Sequence, residues 1–383
     1  MMITNFLKRI TQRFIGNKYF TIPLAEAKAY IEHLPQAEDD FSRSYYQYKC
    51  QMKSSGRLYW FFANLAAIFL LLPYYWLPAK RIDNNAEKCD AVHILNKNLG
   101  ARVIPPTLYS EFGEIKECND GYMVLLKEDR MFIKRLRKIY PLSFFFRLKC
   151  IMRIAAYRYA IQQYTPKAII ASCEYSFTSS VLTAFCEQNS IEHINVSHGL
   201  TIYAITSSYF RFHRFYIYDA YFISIYIRLR ADSTQFKLIS PEIYIIPNDR
   251  PVAASYDFKY YMGPYSKKQM IVVAEALSVL QKKGYQIAVR PHPLHYSSKT
   301  KPVVKDVFKN IFVESPDIPI LDSIAGTKNV IASMSHTFYI AYINHKAIII
   351  DDMMNPIMIE YMRDADAIFF QKDHRMLSEL IKE

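Results

Sequence analysis

Glycine is scarce in this chain, at 9 residues in 383. Neither G-x-G-x-x-G nor G-x-x-x-x-G-K-[ST] occurs, which removes the two commonest glycine-built phosphate cradles. The 6 cysteines, Cys50, Cys89, Cys118, Cys150, Cys173 and Cys186, stand far apart. With no C-x-x-C and no Cys/His cluster at zinc spacing, they read as reduced thiols of a cytoplasmic protein. No small-residue cleavage site follows an early apolar core, so no secretory signal is expected. No repeat runs at a solenoid period. Acidic residues are the minority charge, 35 against 48 Lys and Arg, leaving a net charge of +13. That surplus suits anionic lipid or phosphate-rich ligands. No RNA-recognition, zinc-finger or helix-turn-helix signature accompanies it, so no nucleic-acid partner is expected.

What is abundant is apolar and aromatic: 51% hydrophobic, 15% aromatic, 31 tyrosines. Such a chain is neither disordered nor of low complexity, and its length suffices for two domains with large cores. Residues 1–20 mix Phe6, Leu7, Ile10, Phe14 and Ile15 with Lys8, Arg9, Arg13 and Lys18 at roughly helical spacing. They fit a helix lying on an anionic membrane or one packed on its own domain. Residues 58–78, LYWFFANLAAIFLLLPYYWLP, form the longest apolar run. It could span a bilayer, lie in its interface, or be a buried helix. We treat residues 1–85 as a basic and apolar N-terminal segment, possible anchor to the inner face of the plasma membrane.

Beyond it, short apolar runs alternate with helical stretches. Strands are expected at 90-DAVHIL-95, 122-YMVLL-126, 167-KAIIAS-172 and 191-IEHINV-196, with helices around 145–163 and 177–189. A second alternation starts near 259. A helix over 266–283 has Ser266 as N-cap and Gly284 just past its end. Strands follow at 286-QIAV-289, 311-IFVE-314, 329-NVIAS-333 and 346-KAIIID-351. Alternation of this kind predicts α/β architecture with parallel sheets. The proline-bearing segment 240–257 is the expected linker. It separates an acceptor domain over 86–245 from a donor domain over 246–383, two Rossmann-like domains facing a central cleft. Ligands of such sheets bind beyond the carboxyl ends of the strands.

Three strand ends carry candidate chemistry. At 290-RPHP-293, proline fixes its own backbone and restricts the residue before it. His292 is thereby held on a stiff loop with Arg290 and Pro293 beside it, able to donate to a phosphate oxygen or move a proton. At 333-SMSHT-337, Ser333, Ser335 and Thr337 cluster where a strand gives way to a helix, a setting for phosphate. At 194-INVSHGL-200, His198 precedes Gly199, whose backbone freedom permits a tight turn or a close ligand approach. Glu174 follows another strand and could line the acceptor side. The plain alternatives are a proline-rich turn, an N-cap serine and a loop histidine. Asp364 and Asp366 form a D-x-D near the C-terminus, and Asp351–Asp352 follow a strand, but no further ligand completes a metal site. The expected reaction needs no metal and no cofactor.

An HG pair ending a first-domain strand, RPHP in the second domain and a later serine cluster resemble GT-B glycosyltransferases of bacterial surface polysaccharides. The pattern is similar to sialyltransferases and Kdo transferases (HP and serine motifs) and to CDP-glycerol glycerophosphotransferases (HG and RPHP-like motifs), over roughly residues 88–355. The resemblance implies that His292 and Pro293 contact the donor phosphate, that Ser333 and Ser335 bind it too, and that His198 is the acceptor base beside Gly199. The acidic D/E-D/E-G motif of sialyltransferases is absent, so His198 would have to replace it. The donor implied is a cytidine-linked sugar, sialic-acid- or Kdo-like, and the acceptor a growing capsule or other envelope glycan, in part lipid-linked. A polyol-phosphate transferase and a non-catalytic nucleotide- or glycan-binding scaffold are the alternatives.

Overall fold

The computed structural model describes residues 22–76, 87–95, 104–119, 121–172, 175–197, 199–247, 255–293 and 296–383. They divide into two compact units at Ile239 and Ser240, with Gly199–Ile202 counted in the second. Each is a doubly wound α/β domain of Rossmann-like design.

The first unit is built on strands β1 (Ala91–Leu95), β2 (Ile115–Asn119), β3 (Ala168–Ser172), β4 (Glu192–Val196), β5 (Arg214–Ile217) and β6 (Phe236–Leu238). All neighbours pair in parallel, in the order β2-β1-β3-β4-β5-β6. Alternate residues serve opposite faces, as the pleat requires. Val92, Ile94 and Ile169 join the larger core with Phe146, Ile151, Leu182 and Phe185. Ala91, Ala168, Ile170 and Ile194 join a second core with Leu108 and Phe112. Both faces are covered, which is why these strands read as continuous apolar runs. One expected strand is absent: 122–126 is irregular, and the strand is instead the preceding Ile115–Asn119. Val124 and Leu125 are buried against the core from that irregular segment, and the Val124 amide donates to Ala155 O.

Ahead of the sheet, the Leu24–His33, Asp40–Ser55 and Arg57–Trp76 helices pack in series. Asp39 and Ser42 form a reciprocal capping box for the second of these, satisfying amides that a helix start leaves open. The third carries the long apolar run, packed against the Phe144–Tyr164 helix. Among the described residues no helix is long and apolar enough to cross a membrane. Residues 1–21, and with them the expected N-terminal amphipathic helix, lie outside the described residues.

The second unit contains β7 (Tyr256–Tyr261), β8 (Ile287–Arg290), β9 (Phe312–Val313), β10 (Thr327–Ala332), β11 (Ala347–Ile350) and β12 (His374–Met376). The sheet is again wholly parallel, in the order β12-β11-β10-β7-β8-β9. The Lys267–Lys282 helix packs on it through Met270, Val273, Leu277 and Leu280. Ser266 caps that helix in a capping box with Gln269. Gly284 beyond its end takes φ +91°, a left-handed value that glycine adopts at little cost. Both sheets thus form from the predicted strand–helix alternation, each ordered outward from its first strand in two directions.

One buried group makes the first unit sensitive to acid. His193, on β4, is fully buried between Tyr157 Oη, 2.9 Å from Nε2, and Thr183 Oγ1, 2.8 Å from Nδ1. The Thr183 hydroxyl lies 2.6 Å from Arg211 O and spends its proton there, so it accepts from Nδ1–H. Burial, with the positive fields of His213, Arg153 and Arg211, holds the imidazole well below its ordinary range. His93 on β1 is likewise lowered by burial, to about 4. The unfolded chain therefore takes up protons near pH 6.5 that the folded chain refuses, so stability is full above about pH 6.5 and falls as the pH drops below it. Melting temperatures across pH 5–8 should fall on the acid side for the wild type, and a His193→Gln variant should show a flatter profile from its lower plateau. Parallel profiles would contradict this.

Candidate functional site

Strand order points to where a ligand would bind in the second unit. From β7 the chain proceeds to β8 and β9 on one side, then returns to β10, β11 and β12 on the other. The order reverses between β7 and β10. At such a point the two following loops part and leave a crevice at the carboxyl edge of the sheet. The loop after β8 carries His292, and the loop after β10 carries Ser333 and Ser335 and leads into the helix that Thr337 begins. The candidate residues therefore leave the same edge on either side of β7.

The end of β11 is tied to β7 and the loop after it by a chain of hydroxyls. Burial raises the Tyr265 phenol above its usual range, and the neighbouring Ser333 side chain opposes that rise. Tyr265 Oη is 3.0 Å from Tyr260 Oη, and Tyr260 donates to the buried carboxylate of Asp351. Asp351 also accepts from the amides of Met353, at 2.9 Å, and Met354. Burial raises the Asp351 carboxyl above its usual range, though these three donors oppose the shift. Gly263 permits the tight turn before Tyr265: a Cβ there would come within 3.1 Å of the Tyr265 ring. Ser335 Oγ accepts from the amide of Thr337 at 3.2 Å, which starts the Thr337–Ile343 helix. Thr337 is 8% exposed, and its Oγ1 has no hydrogen-bond partner. A buried hydroxyl left this way carries a desolvation cost that a ligand oxygen would relieve. His336 packs between the rings of Tyr244, at 4.7 Å, and Tyr339, at 5.7 Å.

Arg290 departs from expectation. It is 5% exposed and faces into the domain. One guanidinium nitrogen donates to Glu314 Oε2 at 2.9 Å, and the other to the carbonyls of Pro316 and Ile318 at 3.1 and 2.6 Å. Lys259 on β7, also buried, donates to Glu314 Oε1 at 2.6 Å and to Ser323 O at 2.8 Å. The Ser323 hydroxyl donates to Glu314 as well. Burial would raise the Glu314 carboxyl, but hydrogen bonds from Lys259, Ser323 and Arg290 outweigh it and hold it below the usual range. Arg290 is thus an internal ion pair beneath the loop, not a cation presented to a ligand. Pro291 is buried, while His292 and Pro293 are exposed.

Of the remaining candidates, His198 and Glu174 lie outside the described residues. Gly199 has φ +115°, the left-handed geometry anticipated for the HG turn. Asp352 is engaged by Ser378, through its amide and hydroxyl. Among the described residues no three His, Cys, Asp or Glu side chains gather as a metal site. Sequence reasoning missed Tyr260, Tyr265 and Lys259.

No protein-family model and no curated protein matches the sequence. Solved structures with a similar trace include the wall teichoic acid polymerase TagF with CDPG, at TM-score 0.46 and 9% identity, over 86% of this chain and 88% of that one. UDP-GlcNAc 2-epimerase from Neisseria meningitidis, bound to UDP-GlcNAc, gives TM-score 0.44 and 9% identity over 71% and 85%. MurG from Acinetobacter baumannii gives 0.37 and 10% over 77% and 88%. At such identities and scores the likeness says nothing of this chain's chemistry.

Removing Glu314 would leave Lys259 and Arg290 buried without their common anion. Glu314→Ala should cost about 3–5 kcal/mol in chemical denaturation, and Glu314→Gln less. A loss below about 1 kcal/mol for the alanine variant would refute the shared ion pair.

Proposed function

We propose that this protein is a GT-B-type glycosyltransferase that moves a sugar from a nucleotide donor to a growing capsule or other envelope glycan, without a metal. One observation carries the reading: His292 and the Ser333–Thr337 loop leave the carboxyl edge of one sheet on either side of β7, at its topological switch point. Nucleotide phosphates are bound at such edges. In this reading Ser333, Ser335 and the unpartnered Thr337 hydroxyl take the donor phosphate, and His292, with Pro293, donates to the leaving oxygen. Arg290 contributes by fixing the loop and not by touching the ligand. His198 is the base on grounds of sequence resemblance, with Gly199 and Glu174 on the acceptor side. As the acceptor oxygen attacks the anomeric carbon, His198 takes its proton. The bond from that carbon to the phosphate oxygen breaks, and the nucleotide leaves with the charge held by His292 and the hydroxyls. The donor is a cytidine-linked sugar of sialic-acid or Kdo type, as the motif resemblance implies, and the enzyme works at the inner membrane face.

Donor hydrolysis and glycan transfer by His292→Ala, Ser333→Ala and His198→Ala test this. Losses of about 10²–10⁴-fold are expected, with melting temperature unchanged for exposed His292. Full activity in all three would sink the mechanism. A panel of CMP-, CDP- and UDP-linked donors identifies the nucleotide. A phosphodiester in the product would mark attack at phosphorus and favour polyol-phosphate transfer. Nucleotide binding without turnover of any donor would favour the scaffold.

A further inference from the structure

The Arg57–Trp76 helix is apolar on two opposite faces. Trp60, Ala67 and Leu71 are buried on the side that meets the Phe144–Tyr164 helix. Asn64, on the same side, accepts from the Phe145 amide at 3.1 Å and donates to Tyr48 Oη at 3.2 Å. The helix's strongest polar group is thus used up internally. Leu58, Phe61, Phe62, Leu65, Ile68 and Phe69 recur three or four residues apart on the other side, and all are exposed. Phe61, Phe62 and Phe69 show 64%, 62% and 72% of their surface to solvent. No charged residue lies between Leu58 and Trp76. A helix apolar all round is at home only where both faces leave water.

The neighbourhood says what covers the outer face. Trp60 packs edge-on against Phe145, ring centroids 5.3 Å apart. The segment leading to Phe145 packs Tyr140 and Ser143 on Tyr45 and exposes Ile139 and Leu142, the latter at 81%. Immediately before it, the Asp129–Ile139 helix ends in exposed Arg137 and Lys138, with Lys134 a turn earlier. Exposed cations thus stand beside exposed apolar residues in this segment, on a chain of net charge +13. A second copy of this chain would bring together two molecules of net charge +13, which like-charge repulsion opposes. An anionic bilayer meets both features at once: phenyl and leucyl groups enter the acyl boundary, and Lys and Arg meet the headgroups.

We infer that the outer face of the Arg57–Trp76 helix is a membrane-docking surface, lying in the plane of an anionic phospholipid leaflet. The helix does not cross it, because one face stays packed on the domain along the Phe144–Tyr164 helix. This names the partner of the membrane-side reading above and owes nothing to the donor chemistry.

Co-sedimentation of the full chain with phosphatidylcholine–phosphatidylglycerol vesicles, without any donor, tests it. The wild type should pellet with these vesicles and much less with phosphatidylcholine alone. Phe61→Ser/Phe62→Ser/Phe69→Ser should weaken binding about ten-fold or more with an unchanged melting temperature, since the three rings are exposed. Arg137→Glu/Lys138→Glu should reduce the preference for anionic vesicles. The inference fails if the wild type stays in the supernatant, if the triple variant binds as the wild type does, or if binding appears only after removal of residues 1–20. It fails equally if sedimentation without lipid reveals a dimer that the triple variant abolishes. Because no donor is present, none of these outcomes bears on the transferase reading.

Discussion

The carboxylate of Glu314 is shared by three donors from different parts of the second unit: Lys259 on β7, Arg290 at the end of β8, and Ser323 in the Ile320–Ala325 helix. A buried charge with one partner removed is strongly destabilising, so these groups hold each other in place. The consequence is positional. Arg290 also grips the carbonyls that follow Glu314, and its own next residues are the buried Pro291 and the exposed His292. The stiffness of the RPHP loop therefore has two sources, the prolines and the anchored arginine below them. His292 is the first residue past that anchor and Pro291 to face solvent.

A second constraint works on the other side of β7. Asp351, Tyr260 and Tyr265 form one hydrogen-bonded series that runs between the end of β11, β7 and the loop after it. Buried Ser333 sits beside that series, while Thr337 Oγ1 nearby in sequence keeps no partner. Rigid support under a loop with an unused hydroxyl is how a site is preorganised for a ligand oxygen. The two supports draw on different hydrogen bonds, though Lys259 and Tyr260 are neighbours on β7.

Most strands were legible because a parallel sheet covered on both faces demands unbroken apolar runs. β5, β6, β7 and β12 were not anticipated, and the one expected strand that is absent has a physical cause. Ile115–Asn119 (IKECN) is an edge strand, where polar residues are favoured, while the more apolar 122–126 is buried without entering the sheet. At the site, the positions of His292 and the serine cluster were visible as strand ends. The direction of Arg290 was not, because nothing in RPHP says that its partner is Glu314 at the end of the next strand. Tyr260 and Tyr265 were hidden among 31 tyrosines; only their hydroxyl partners set them apart from core aromatics. Likewise the 58–78 run left three readings open, and the exposed face opposite Trp60, Ala67 and Leu71 was visible only once the packed face was known.

The claim on which the rest turns is that a nucleotide phosphate sits at the carboxyl edge beside β7. Crystal structures of the full chain with CMP and with CDP address it most directly. The expected result is phosphate oxygens within hydrogen-bond reach, about 3 Å, of both the Ser333–Thr337 loop and His292. A nucleotide seated elsewhere, with those groups unengaged, would contradict it.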